Sequence, residues 1–130
     1  MFVNGLSFTI KYFKLDYKEL DIWMKARELV KSVYILTNSF PKDEQFSLTS
    51  QVRRCAVSVP SNVAEGCGRQ SNKETIHFLH ISRGSLFELE TQLILANDLG
   101  YIQSDIDTIL EEVERVKKLL NGFIKYHKKL

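Results

Sequence analysis

The sequence predicts an all-α protein, an up-down-up-down antiparallel four-helix bundle. Apolar residues recur at helical 3-4-3-4 spacing in four separate segments, with no strand-type alternation anywhere between them. Each segment is bounded by helix start or stop residues: Pro41, Gly66 with Gly68, Ser71, Gly100 and Ser104. The connections are short, which makes successive helices antiparallel neighbours. At 130 residues the chain reads as a single folded unit with enough length to bury a core. An apolar content of 44%, broken by only two prolines, argues against disorder. Residues 1–17 read as an N-terminal extension and residues 18–130 as the bundle domain.

The first helix is predicted over about residues 19–38. Trp23, Ala26, Val30, Val33, Thr37 and Phe40 make its stripe, widened by Ile22, Leu29 and Leu36, while Lys25, Glu28 and Lys31 take the wet side. Pro41 stops it. The second, about residues 47–66, carries Leu48, Val52, Cys55, Val59 and Val63, and Pro60 is expected to kink it. Gly66 and Gly68 are expected to end it as a left-handed cap. The third opens with a capping box, Ser71 with Glu74, and runs to about residue 99 before Gly100. Its seam is Leu79, Ser82, Leu86, Leu89, Leu93 and Ala96. Phe78, Ile81, Phe87, Ile94, Leu95 and Leu99 fall outside that stripe, more apolar surface than a lone bundle uses. The fourth runs over about residues 104–128 on Ile106, Ile109, Val113, Val116, Leu120 and Phe123, with Glu111–Arg115 and Glu114–Lys118 as i,i+4 pairs outside.

Cys55 and Cys67, twelve residues apart on one helix, would stand roughly 18 Å from each other, beyond disulfide reach. They read as reduced, small core residues of a cytoplasmic protein. No segment approaches the ~18 apolar residues of a membrane span, so no membrane partner is expected. The opening MFVNGLSFTIKYFKLDY lacks the apolar run and cleavage site of a signal peptide. Its Phe2, Phe8, Ile10, Tyr12 and Phe13 are suited to docking on the bundle or on a neighbour.

No catalytic residue, metal site or cofactor is expected. Glu74-x-x-His77 has the spacing of half a di-iron site, but the second such pair and two further glutamates are missing, so it reads as a capping glutamate before a surface histidine. Arg69 and His77, with seven residues between them, are spaced too widely for the arginine–histidine motif of HEPN-type bundle ribonucleases. Nucleophile elbows and glycine-rich phosphate loops are absent.

Charge is unevenly spread. The formal net charge is +2, yet residues 121–130 hold three lysines and no acid, while residues 98–114 hold six acids and no base. Such polarity suits a polyanion surface or head-to-tail self-association. Arg53, Arg69, Lys73, Arg83, Lys125, Lys128 and Lys129 are the candidate phosphate contacts. A second set, Arg54, Ser58, Asn62, Glu65, Glu88 and Gln92, runs beside the core seams of the second and third helices. Two readings of it stand: an internal polar network in which each charge finds a partner, or a strip facing another subunit or a nucleic-acid backbone.

The runs RRCAVSVPSNVAEGCGR and FLHISRGSLFELETQLILANDLGYI closely resemble the "four helix bundle protein" family, whose members are encoded by intervening sequences inside some bacterial 23S rRNA genes. The resemblance covers about residues 17–125. Its matching positions are Arg54, Ala56, Ser58, Pro60, Asn62, Glu65, Gly66, Arg69, Phe78, Leu79, Gly84, Ser85, Glu88, Leu89 and Gln92. The family includes Avd, the accessory variability determinant of diversity-generating retroelements. The resemblance implies a non-enzymatic homopentameric barrel that binds RNA or DNA, with a reverse transcriptase as a possible partner in the Avd branch. The expectation is therefore a homopentameric, nucleic-acid-binding accessory protein. The alternative is a protein-interaction scaffold without direct nucleic-acid contact.

Overall fold

A computed structural model describes residues 16–130. The aromatic docking positions expected at Phe2, Phe8, Ile10, Tyr12 and Phe13 lie outside the described residues. Four long helices make the fold: α1 (Asp21–Thr37), α2 (Leu48–Cys67), α3 (Asn72–Asp98) and α4 (Ile106–Lys128). Short 3-10 turns precede α1 (Tyr17–Glu19) and α2 (Lys42–Glu44). Helix α1 packs on α2, α2 on α3, α3 on α4, and α4 back on α1, and the α2–α3 contact is the most extensive. The up-down-up-down bundle is thus closed, with its four apolar faces meeting in one core.

Helix boundaries follow local chemistry. The Ser71 hydroxyl accepts the Glu74 N–H at 3.2 Å and starts α3. At its far end the Tyr101 N–H reaches back to the Ala96 carbonyl (2.9 Å) and the Gly100 N–H to that of Asn97 (3.0 Å), with Gly100 at φ +78°. That is a Schellman stop, and it uses the left-handed conformation glycine tolerates. The start of α4 falls later than expected. Asp105, rather than Ser104, caps it by accepting the Asp107 N–H at 3.0 Å.

The end of α2 differs from the sequence expectation. Gly68 stays in the right-handed region (φ −84°), and the helix runs through Gly66 to Cys67. Gly66 is instead a contact glycine. A Cβ there would stand 3.1 Å from the Thr75 carbonyl oxygen and 3.3 Å from the Phe78 Cβ, so its bare backbone lets α2 and α3 approach closely. Helix α2 also continues through Pro60.

The buried stripes of α1, α2 and α4 are rotated slightly from those predicted. In α1, Ile22, Ala26, Leu29, Val33 and Thr37 are buried, whereas Trp23 and Val30 flank the groove toward α2. In α2, Thr49, Ala56 and Gly66 join Val52, Val59 and Val63, and Leu48 and Cys55 sit half-buried at the rim. In α4, Ile124 is buried while Ile106 and Phe123 are half-buried. In α2 the small Ala56 and Gly66 are buried, while the broad rings of Trp23 and Phe123 stay half-buried at the edges of the core. Ion pairs on α4 also differ from the expected i,i+4 set: Lys117 reaches Glu90 of α3 at 2.7 Å and Glu114 at 3.8 Å.

Candidate nucleic-acid interface

The polar strip resolves into a satisfied seam and an open hollow. The Ser58 and Ser85 hydroxyls hydrogen-bond at 2.8 Å across α2 and α3. Asn62 donates to the Ser58 carbonyl and hydroxyl, each at 2.9 Å. One turn away the Ser82 hydroxyl donates to the Val59 carbonyl at 2.9 Å, and Thr75 donates to the Gly66 carbonyl at 2.8 Å. These are buried or half-buried groups that find partners within the bundle. Glu65 pairs with Arg69 along α2, and the Arg69 guanidinium also lies 4.4 Å from the Phe78 ring centroid.

Arg54 and Glu88 are not joined as a buried pair. Both are exposed, and they line an open hollow of about 530 Å³ with Gln51, Cys55, Ser58, Ser85 and Gln92. Gln92 donates a long 3.4 Å hydrogen bond to Gln51 and also bonds the Cys55 thiol, while its own oxygen is buried without a partner among the described residues. Burial, reinforced by the Glu88 charge, pushes the Cys55 thiol above its ordinary range. That disfavours the reactive thiolate. Cys55 and Cys67 are both half-buried and form no disulfide.

The candidate cations separate into three places. The α3 start and the α4 end meet, with His127 Nδ1 3.3 Å from Asn72 Oδ1, so Arg69, Lys73, Lys128 and Lys129 share one end of the bundle and Lys125 lies one turn inward. Lys73, Lys125, Lys128 and Lys129 are exposed and make no ion pair among the described residues. Acids share that end: Asp16 pairs with Lys18 and Glu65 with Arg69, while the exposed Glu19, Asp21 and Glu74 make no ion pair among the described residues. The opposite end carries Asp43, Asp98, Asp105 and Asp107, so the charge polarity of the sequence becomes an end-to-end polarity of the molecule. Burial pushes the His127 imidazole below its ordinary pKa, so it adds little positive charge near neutrality.

Arg83 is exposed midway along α3, 5.8 Å from the Phe87 ring. Arg53 stands apart. It donates to Thr37 Oγ1 (2.8 Å) and Asn38 Oδ1 (3.2 Å) and lies 4.5 Å from the Tyr34 ring centroid, which ties it to α1. The expected apolar excess on α3 is present: Ile81, Phe87, Ile94, Leu95 and Leu99 are each roughly half exposed, while Phe78 is half-buried.

Sequence reading missed Phe46, which is 90% exposed in the loop before α2. The available signal was a lone aromatic between the turn residues of PKDEQ and Ser47, outside every helical stripe. Among the described residues no helix is long and apolar enough to cross a membrane, and no group of three or more His, Cys, Asp or Glu is placed to hold a metal ion.

The model of one protein family, 23S rRNA-intervening sequence protein, matches residues 18–122. This chain belongs to that family. Among solved structures, the intervening-sequence protein is similar to a crystal structure of a protein of unknown function from the S23 ribosomal protein family of Bacteroides thetaiotaomicron. The TM-score is 0.73 at 24% identity, covering 80% of this chain and 95% of the other. At that identity the likeness speaks for the helical fold alone. No curated protein matched the chain.

Proposed function

We propose that this intervening-sequence protein is a non-catalytic, homopentameric accessory factor of the cytoplasm that binds RNA or DNA through basic side chains. The observation that carries the reading is the cationic end of the bundle, where Lys73, Lys125, Lys128 and Lys129 are exposed and unmatched by carboxylates within ion-pair distance among the described residues. Phosphate contacts need such side chains, able to trade counterions for backbone charges. Self-association is supported by the exposed apolar residues of α3, and the resemblance to the Avd-containing family supports a fivefold ring. A ring would repeat the basic end around its axis and sum its field.

The test is a titration of structured RNA at ~50 and ~200 mM salt, in parallel with sedimentation. Binding that weakens steeply with salt, and that falls in a Lys73→Glu/Lys128→Glu variant, is the expected result. Absence of binding at the lower salt removes the reading. The exposed α3 row favours a second reading, a scaffold for a protein partner such as a reverse transcriptase. A stable protein complex formed without RNA, by a chain that binds no RNA, would establish it.

A further inference from the structure

We propose that the loop before α2 is a stacking platform for unpaired bases, with Phe46 taking a base on its ring face and Arg54 the adjoining phosphate. The inference rests on the nucleic-acid reading above and assigns it a site away from the lysine end. Exposing a phenyl ring to 90% leaves nearly all of its apolar area in water. Hydrogen bonds brace the backbone on either side of it. Glu44 accepts from the Ser47 hydroxyl at 2.6 Å, from the Leu48 N–H at 3.3 Å and, on its other oxygen, from the Tyr101 hydroxyl at 2.8 Å. Phe46 is therefore presented on a braced turn, which lowers the ordering cost of binding.

Phe46 stands on the ridge between two hollows. One, of about 530 Å³, holds Gln51, Gln92 and Glu88; the other, of about 490 Å³, holds Tyr34, Thr49, Arg53 and Val57; Arg54 borders both. The first offers accessible polar side chains at its mouth: Gln51, Arg54 and Glu88 are all exposed there. An amide, a guanidinium and a carboxylate around one hollow suit a ligand that carries donors and acceptors at its edge. A splayed base does so, while offering its face to an aromatic ring. Arg54 is exposed and makes no ion pair among the described residues, so its guanidinium is available to a phosphate. Glu88, across the first hollow, repels a phosphate toward the Arg54 side and can accept from a base amino group.

The same chemistry argues against a protein partner here. Aromatic anchors of protein interfaces sit within an apolar centre, whereas the first hollow beside Phe46 is lined mainly by serines, glutamines and charges, and the second sets Arg53 and Arg54 beside Tyr34 and Val57. A duplex keeps its base faces stacked on one another, so the occupant is single-stranded.

The test compares a fluorescent single-stranded oligo-U or oligo-dT with a duplex of equal length, by anisotropy at ~50 mM salt. Phe46→Ala is expected to weaken single-strand binding by about tenfold or more and to leave duplex binding unchanged. Phe46→Trp should keep affinity and show quenched tryptophan emission on binding. Arg54→Gln should reduce the salt slope by about one. An unchanged melting midpoint establishes that Phe46→Ala is folded. Equal single-strand affinity for Phe46→Ala and its parent overturns the platform while leaving the nucleic-acid reading intact. Failure of the parent to bind either probe removes both. A Phe46→Ala change in oligomer size would assign the ring to a subunit contact and also overturn the platform.

Discussion

The seam between α2 and α3 and the face that α4 contributes are built on different principles. Helix α4 buries Ile109, Val113, Val116, Leu120 and Ile124, an aliphatic row with its charges kept to the rim. The α2–α3 seam adds to its valines and leucines a set of small and hydroxyl-bearing buried residues: Ala56, Gly66, Thr75, Ser82 and Ser85. Apolar burial is non-directional and roughly proportional to area, so the α4 row supplies bulk stabilisation while leaving sliding comparatively cheap. Hydroxyl-to-carbonyl bonds and a glycine contact depend on position to within a fraction of an ångström, so the α2–α3 seam fixes register. The residues matching the family resemblance concentrate on that seam.

The comparison is open to attack at several points. Leu120→Ala, which hollows the α4 row, should have the largest effect, a loss of about 2–5 kcal/mol in denaturant unfolding; Leu120 is fully buried. A loss under about 1 kcal/mol would mean that the α4 face is not the bulk contributor. Next, Gly66→Val should cost about 1–3 kcal/mol, since its Cβ meets Thr75 backbone that cannot swing aside. Gly122→Ala is the matched control on α4. A Cβ there has nothing within 4 Å, and removing a helical glycine should stabilise by about 0.5–1 kcal/mol. Equal signs for the two glycine changes would erase the distinction between the regions. Ser82→Ala should cost about 0.5–1.5 kcal/mol through the lost bond to the Val59 carbonyl.

The smallest effect lies outside both seams, at Glu44. Hydrogen bonds from Ser47 first, then Tyr101 and Leu48, hold its carboxyl below the ordinary value. A depressed folded-state pKa gives stability that is present above the unfolded carboxylate pKa and lost as pH falls through the folded one. Tyr101 is raised chiefly by its bond to Glu44, so its contribution is present below the ordinary tyrosine pKa and lost as pH rises through the folded value. Melting curves of Tyr101→Phe should therefore show a shallower loss than the parent at both the acid and the alkaline limit. Parallel pH profiles would show that this brace adds nothing to the fold.

Much of the fold was legible because helical periodicity and stop residues act over a few residues. The α3 seam from Leu79 to Ala96 was readable as a whole, and so was the Gly100 stop. The roles of Gly66 and Trp23 were not. A glycine near a helix end serves equally as a cap or as a contact, and only the position of Thr75 on the next helix distinguishes them. For the polar strip, the sequence placed Ser58 and Asn62 together on one face by i,i+4 spacing. It could not show that Arg54 and Glu88 stay exposed on either side of a hollow.

By itself, the sequence determined four helices, their order, their antiparallel sense and an uneven distribution of charge, because each follows from local spacing and composition. Tertiary structure alone decided which small residue meets which backbone, that Arg53 is held by α1 while the lysines gather at one end, and that Phe46 stands in water between two hollows. Those outcomes depend on distances between residues far apart in the chain. Such distances are set by the simultaneous packing of all four helices, and no local pattern encodes them.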